Sequence, residues 1–317
     1  MTSKLDPTPQ TGFEQRYITV GDGLRLAFRD YGSAQAPGPT ILCLGGLSRN
    51  SRDFHDLALW LKPNHRVICP DYIGRGDSDR AEDAERYQPP RMLGDVLALT
   101  TALNLHNLIV VGTSLGGFLT MGLAVLSPTL VRAAVINDAG PDFGNTALER
   151  IVDYLGQDHP KPDWETAIHD LKTQFAHLGF EEDQDWRDLA EGSFTAGDDG
   201  LLHVSWDTRL VETITNREDG FDLWALFKAL GDREVLALRG ANSDALLPET
   251  FKEMAENLPN ITAITVDNRA HTPSLREPIV RENIAAFLER VDHRLMDNEQ
   301  QNMETPATSA SQSAHGT

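Results

Sequence analysis

The chain has 317 residues, 40% of them hydrophobic and 24% charged, so it is long enough to bury a core without disulfides or metal ions. Its formal net charge is −20, and a field of that sign repels phosphate backbones and anionic membrane surfaces, which argues against nucleic-acid or membrane partners. No stretch reaches the roughly 20 apolar residues of a membrane helix, and residues 1–15 lack the apolar core of a signal peptide. We therefore expect a soluble, cytoplasmic protein.

The two cysteines, Cys43 and Cys69, each lie in a short apolar run, which predicts buried positions. They provide neither a disulfide framework nor zinc-ligand spacing. No pair of histidines has metal-ligand spacing beside a carboxylate in a persuasive context. We expect neither a metal ion nor a cofactor.

In chain order, residues 1–15 are predicted to form a flexible tail, and a hairpin with strands at 17–20 and 24–31 follows. Short apolar runs then alternate with longer segments of helical period. The runs predicted as strands are 40–44, 66–69, 107–111, 133–137, 234–238 and 261–266. The helix candidates between them are 54–61, 90–103, 115–126, 221–230, 249–257 and 278–291. This alternation predicts an α/β fold with a mostly parallel, doubly wound sheet of about eight strands.

The alternation is interrupted at 141–217, where amphipathic segments carry aromatic side chains and no buried-strand run occurs. We interpret this stretch as a helical cap insertion in a core formed by 16–140 and 218–291. Residues 292–317 are rich in Gln, Asn, Ser, Thr and Ala, which is typical of a disordered tail. The aromatic residues in or beside the insertion are Phe143, Tyr154, Trp164, Phe175, Phe180, Trp186, Phe194 and Trp206.

The run Gly112-Thr113-Ser114-Leu115-Gly116 lies between a predicted β-branched strand and a predicted helix. Glycines on either side of Ser114 allow a sharp turn that displays the serine at the carboxyl edge of the sheet. The first N–H groups of the following helix then point to where an oxyanion would form. We predict that Ser114 is a nucleophile.

From this motif onward the sequence resembles the α/β-hydrolase superfamily over about residues 15–290, although the insertion matches only loosely. The segment 71–78, Asp-Tyr-Ile-Gly-Arg-Gly-Asp-Ser, resembles the Asp-x-x-Gly-x-Gly-x-Ser loop of the family. Residues 42–47 resemble the segment that supplies the second oxyanion donor, with Gly45-Gly46 in place of the usual His-Gly or Pro-Gly. The resemblance implies an oxyanion hole formed by the backbone N–H groups of Leu47 and Leu115.

A serine nucleophile needs a general base that a carboxylate orients. His271 lies between the last predicted strand and the last predicted helix, which is the position of the histidine in the family. The family order of serine, acid and histidine implies that the acid is Asp244, in the loop after the strand at 234–238. Asp138, after the strand at 133–137, is the alternative, because some relatives place the acid one strand earlier.

These assignments predict a serine hydrolase that cleaves a carboxylic ester or lactone through an acyl-enzyme. A carbon–carbon bond hydrolase acting on diketones with the same triad is the alternative, and a cofactor-free haloperoxidase-like activity also fits the triad. A non-catalytic ligand-binding member of the same fold is a further, less favoured alternative. Epoxide hydrolases and haloalkane dehalogenases are disfavoured because they need Asp where this chain has Ser114.

The aromatic side chains of the insertion favour an apolar wall and a small-molecule substrate with a moderately sized, uncharged or hydrophobic acyl or alcohol group. The charge of −20 disfavours a multiply anionic substrate, although the basic pair Arg49 and Arg52 near the oxyanion loop could offset it locally.

Overall fold

A computed structural model describes backbone and side chains of residues 10–142, 151–213 and 222–293, and the backbone alone of 214–215 and 294–304. Predictions that fall on 1–9, 143–150, 216–221 and 305–317 lie outside the described residues; they include most of the predicted flexible tail and Phe143.

Eight strands form one sheet in the order β1-β2-β4-β3-β5-β6-β9-β10. β1 and β2 form the predicted hairpin, β2 pairs antiparallel with β4, and all other neighbours in the sheet are parallel. The strands of this sheet are β1 Glu14–Thr19, β2 Arg25–Tyr31, β3 Ile41–Leu44, β4 Val67–Pro70, β5 Leu108–Thr113, β6 Val131–Asn137, β9 Glu234–Gly240 and β10 Ile261–Val266. The predicted fold class and sheet size are confirmed.

The helices that connect the strands begin close to where the sequence predicted them, several of them at a proline whose missing N–H costs nothing in the first turn. The α-helices of the core are His55–Leu61, Pro89–Ala102, Leu115–Leu126, Leu223–Lys228, Pro248–Asn257 and Pro278–Glu304. The last helix runs past residue 292, so the segment 292–304, predicted as part of a disordered tail, is helical.

The core consists of two apolar layers, one on each face of the sheet. β5 shows the period of two: Leu108 and Val110 belong to one layer, whereas Ile109 and Val111 belong to the other. Because both faces of this strand are covered by helices, its sequence is a continuous apolar run. Cys43 and Cys69 are buried and free, as predicted.

The insertion between β6 and β9 contains the helices Trp164–Gln174 and Asp183–Ser193 together with shorter helical segments. It also contains a two-stranded antiparallel hairpin, β7 Phe194–Ala196 and β8 Leu202–Val204, which the sequence did not predict. Strands of three residues are too short to produce a recognisable period. The exact domain boundaries stay a prediction.

The parallel strands β3, β5, β6, β9 and β10 direct their carboxyl ends to the same edge of the sheet, and the candidate site lies in the loops that follow them. Among the described residues, no helix is both long enough and apolar enough to cross a membrane.

Candidate active site

Ser114 lies in the turn between β5 and the helix Leu115–Leu126, where its φ of 51° and ψ of −114° are unusual for a residue with a side chain. Backbone hydrogen bonds hold this conformation. Ser114 N donates to Asn137 O at 2.9 Å, and Gly117 N donates to Ser114 O at 2.9 Å. The turn presents the serine to a cavity above the sheet edge.

The glycines of this motif are required by close packing. A Cβ at Gly112 would lie 2.3 Å from Gly116 O, and a Cβ at Gly116 would lie 2.0 Å from Leu44 O. Neither contact is possible for a real side chain, since van der Waals contact begins well beyond these distances. The glycines therefore let the helix that follows Ser114 approach both β5 and β3.

His271, in the loop after β10, is in hydrogen-bond contact with Ser114. The distance between Ser114 Oγ and His271 Nε2 is 2.9 Å, and His271 Nδ1 lies 2.6 Å from Asp138 Oδ2. The Asp138 side chain is fully buried and that of His271 is 12% exposed. A neutral histidine that donates from Nδ1 to Asp138 leaves Nε2 as the acceptor for the serine proton.

The structure corrects the predicted acid, because Asp138 and not Asp244 occupies the place beside His271 Nδ1. The Asp138 carboxylate also accepts a hydrogen bond from Ser243 Oγ at 2.6 Å and from Gly240 N at 3.0 Å. The loop that was predicted to supply the acid thus supplies hydrogen-bond donors to it. The physical reason is strand order: β6 lies between β5 and β9, so the residue after β6 is one strand nearer to Ser114.

The predicted oxyanion donors, Leu47 and Leu115, both lie beside Ser114. A Cβ at Gly46, next to Leu47, would be 3.7 Å from Ser114 Cβ. Leu115 is the first residue of its helix, so its N–H has no carbonyl within the helix to bind. Among the described residues, no hydrogen bond from either N–H is found, which leaves both available to a ligand.

The loop at 71–78 stabilises this region from below. Arg75 is buried, and its Nε donates to Leu47 O at 2.8 Å, which holds the peptide that follows the predicted donor. Burial lowers the pKa of Arg75 to about 10, which leaves it protonated at neutral pH. The Asp71 carboxylate accepts from Ser51 N at 2.7 Å and from Asp77 N at 2.9 Å. The sequence predicted this loop but assigned it no contact with the oxyanion segment.

The cavity above Ser114 has a volume of about 260 Å³ and lies between the sheet edge and the insertion. Of the aromatic residues named from the sequence that the structure describes, three line the cavity: Tyr154, Phe175 and Phe180. Others pack inside the insertion, where Trp206 is fully buried and its Nε1 donates to Leu155 O. Two further histidines, His55 and His177, also line the cavity. Among the described residues, no group of side chains is arranged to hold a metal ion.

The basic pair Arg49 and Arg52 does not supply free positive charge. Arg49 makes a two-pronged ion pair with Asp53, with N···O distances of 2.7 and 2.6 Å. Arg52 Nη2 lies 3.4 Å from Asp77 Oδ1. Because each arginine has its own carboxylate, the pair does not offset the negative charge of the protein for an anionic ligand.

This geometry agrees with the comparisons to known proteins. Residues 39–167 match the model of the α/β-hydrolase fold family. The chain is 34% identical over 285 residues to the 3-hydroxybutyrate-oligomer hydrolase of Cupriavidus necator. This match covers 86% of this chain and 96% of that protein. It is 39% identical to an α/β hydrolase of Novosphingobium aromaticivorans, with a TM-score of 0.83 over 88% of this chain and 99% of that one.

A shorter match of 31% identity links the chain to the 2-hydroxymuconate semialdehyde hydrolase of Pseudomonas putida, over 43% of this chain and 44% of that protein. The chain belongs to the α/β-hydrolase family. It is a hydrolase, and the predicted superfamily is confirmed.

Proposed function

We propose that the protein is a carboxylic-ester hydrolase in which Ser114, His271 and Asp138 form the catalytic triad. His271 Nε2 takes the proton of Ser114 Oγ as the oxygen attacks the ester carbonyl, and the N–H groups of Leu47 and Leu115 stabilise the oxyanion. His271 then gives its proton to the leaving alkoxide. Water, activated in turn by His271, hydrolyses the acyl-enzyme and releases the acid.

The observation that carries this proposal is the continuous hydrogen-bond relay from Ser114 through His271 to Asp138. A relay of this kind activates a hydroxyl that is a poor nucleophile at neutral pH. Asp138 stabilises the imidazolium that forms during the reaction and fixes the tautomer that accepts the serine proton.

For the substrate, we propose short-chain esters of hydroxy acids, with small oligomers of 3-hydroxybutyrate as the first candidates. The relative from Cupriavidus necator is named for hydrolysis of such oligomers, and the match covers nearly the whole length of that relative. The cavity of about 260 Å³ supports a short acyl chain, and its aromatic wall supports an apolar one. The same acyl-enzyme mechanism would also open the ring of a lactone of similar size.

Cleavage of a carbon–carbon bond in a diketone is the second candidate, since the 2-hydroxymuconate semialdehyde hydrolase matches the chain in part. That match covers less than half of this chain, whereas the ester-hydrolysing relative covers 86% of it. We therefore rank ester hydrolysis first. A cytoplasmic location remains a prediction from the sequence.

The test is a substrate panel of p-nitrophenyl acetate, butyrate and octanoate, the linear dimer and trimer of 3-hydroxybutyrate, a butyrolactone and a vinylogous diketone. We expect turnover of the dimer and of the short esters, with activity falling from butyrate to octanoate. In Ser114→Ala, kcat should fall by about 10⁴-fold or more. A fluorophosphonate probe should label the wild-type protein and not the variant.

Turnover of the diketone and of no ester would favour the second candidate, cleavage of a carbon–carbon bond. A folded wild-type protein that neither reacts with the probe nor hydrolyses any ester would contradict the proposal altogether.

A further inference from the structure

Asp185 is a buried carboxyl group in the same cavity as Ser114, and the triad does not use it. It lies in the first turn of the helix Asp183–Ser193, at the side of the cavity formed by the insertion. The residue is only 8% exposed. A carboxyl group at such a position normally receives hydrogen bonds from the protein, because burial without a donor is costly.

Asp185 lacks such donors among the described residues. Its nearest cation is Arg276 Nη1, at 3.8 Å, which is beyond hydrogen-bond distance. Burial raises the pKa of Asp185, and the arginines Arg269 and Arg276 only partly offset this effect. Asp185 therefore lines the cavity with acceptor capacity that the described residues leave unused.

The charges around Asp185 indicate what kind of group would use this capacity. Arg276 also contacts Asp188 and lies 3.4 Å from Asp56, so one guanidinium is shared by three carboxylates. Arg281, the next cation along, is in contact with Asp56 as well. A second anion would meet an excess of negative charge here. A neutral hydrogen-bond donor, such as a hydroxyl group, can bind the acceptor on Asp185 without adding negative charge to this cluster.

We propose that Asp185 is a specificity-determining residue that accepts a hydrogen bond from a hydroxyl group on the acyl chain of the ester. This inference rests on the proposed ester hydrolysis. In a linear hydroxy-acid oligomer, the free hydroxyl belongs to the terminal unit whose carbonyl forms the ester. The free carboxylate belongs to the unit at the other end. A site that binds the hydroxyl and repels the carboxylate therefore places the hydroxyl-terminal unit as the acyl group on Ser114.

The experiment compares kcat/KM for methyl 3-hydroxybutyrate and methyl butyrate. Hydrolysis of each ester is measured by titration of the acid that it releases. We expect the wild-type protein to prefer the hydroxy ester by about 10-fold or more, the range of a hydrogen bond to a charged group. In Asp185→Leu the ratio of the two kcat/KM values should fall to about one, because the contact with the hydroxyl group is lost. Asp185→Asn keeps the shape and one acceptor, so its preference should lie between the two.

The matched control is Asp183→Asn on the same helix, since Asp183 is exposed and pairs with Lys172 away from the cavity. It should keep the wild-type preference. If neither ester is hydrolysed, the proposed function fails. If both are hydrolysed and the preference is absent, or survives in Asp185→Leu and in Asp185→Asn, the assignment of Asp185 is overturned while ester hydrolysis stands. A stronger preference for methyl 3-aminobutyrate would also overturn it, because the group bound would then be an ammonium.

Discussion

The sheet edge and the insertion face each other across one cavity, and they are constructed in different ways. At the sheet edge, several contacts hold the residues of the proposed triad: Asp138 accepts three hydrogen bonds, and Ser114 is fixed by backbone bonds on both sides. On the insertion side the wall combines three aromatic residues with aliphatic and acidic ones, and Asp185 is left with an ion pair at 3.8 Å. The edge is preorganised for one reaction, whereas the insertion has groups that a ligand can still satisfy.

The two regions are joined by side chains that follow the oxyanion segment. Asn50 Nδ2 donates to Gly192 O at 2.8 Å, and Arg52 Nη1 donates to Glu191 O at 3.2 Å. Arg49 Nη1 donates to Ser193 Oγ at 2.6 Å. These donors meet the C-terminal end of the helix Asp183–Ser193, where carbonyl groups lack partners within the helix and cations are favoured. The insertion is therefore anchored beside the proposed oxyanion hole.

The largest effect is expected at the acid. Asp138→Asn should lower kcat by about 10³–10⁴-fold, because an amide can stabilise the wrong histidine tautomer and carries no charge for the imidazolium. Asp244→Asn is the matched control and should lose less than about 10-fold, since it does not occupy the place beside His271 Nδ1. Steady-state kinetics on a p-nitrophenyl ester measures both. An equal loss in the two variants would show that the acid is not Asp138 alone.

A second comparison concerns backbone packing in the two regions. Gly116→Ala should lower the free energy of unfolding by about 3 kcal/mol or more, because the new Cβ would clash with Leu44 O. In the insertion, a Cβ at Gly156 would find its nearest atom at 3.5 Å, so Gly156→Ala should change stability by less than about 1 kcal/mol. Urea unfolding followed by circular dichroism measures both values. Similar losses would mean that the sheet edge is no more tightly packed than the insertion.

Arg75 tests whether the oxyanion segment needs support from the loop beneath it. Arg75→Met removes the hydrogen bond to Leu47 O, and we expect kcat to fall by about 10-fold with KM little changed, because the segment that carries the Leu47 N–H is held less well in the transition state. Rates are normalised to the active-site concentration found by fluorophosphonate titration. Arg86→Met removes another largely buried arginine, one that pairs with Asp95 elsewhere, and should leave kcat unchanged. A similar fall of kcat in both variants would show that Arg75 acts through the general stability of the fold and not through the oxyanion segment.

Asn50 tests the anchor between the two regions. Asn50→Ala leaves Gly192 O and Ser205 Oγ without this donor, so the free energy of unfolding should fall by about 2 kcal/mol. Chemistry at Ser114 should be nearly preserved, and limited proteolysis should cut the insertion faster than the core. Unchanged proteolysis together with unchanged stability would indicate that the insertion is held by its apolar contacts.

The smallest effect concerns pH. Burial lowers the pKa of His55 from 6.5 to about 4, and its Nδ1 lies 3.0 Å from Tyr31 Oη. The unfolded chain therefore binds a proton below pH 6.5 that the folded chain takes only near pH 4, so this contribution to stability is lost as the pH falls through that window. We expect the melting temperature to drop less between pH 7 and pH 5 in His55→Gln than in the wild type. An equal drop would exclude His55 as a source of acid sensitivity.

Most of the fold could be predicted because the buried strands are continuous apolar runs bounded by turn residues. β5 and the helix Leu115–Leu126 are examples, since one is β-branched and the other starts at the glycine-rich turn. The hairpin of β7 and β8 could not be predicted, because three residues show no period. The helical character of 292–304 was also missed, since composition alone indicated disorder there.

The candidate site was predictable where it depends on local sequence, as at Ser114, and less so where it depends on strand order. Two carboxylates, Asp138 and Asp244, each follow a strand of the sheet, and local pattern does not say which of them reaches His271. Burial of Asp185 against Arg276 depends on how the insertion folds back over the sheet edge, which no periodicity encodes. Tertiary packing decides both questions.

The backbone of Ser114 has a consequence for how such a protein evolves. A residue with a side chain at φ 51° and ψ −114° is less stable there than glycine would be, so Ser114→Gly should favour folding while it removes the proposed nucleophile. On the proposed mechanism, selection for stability alone would replace this serine, and selection for turnover would retain it. The rest of the core must then supply the stability that the turn costs.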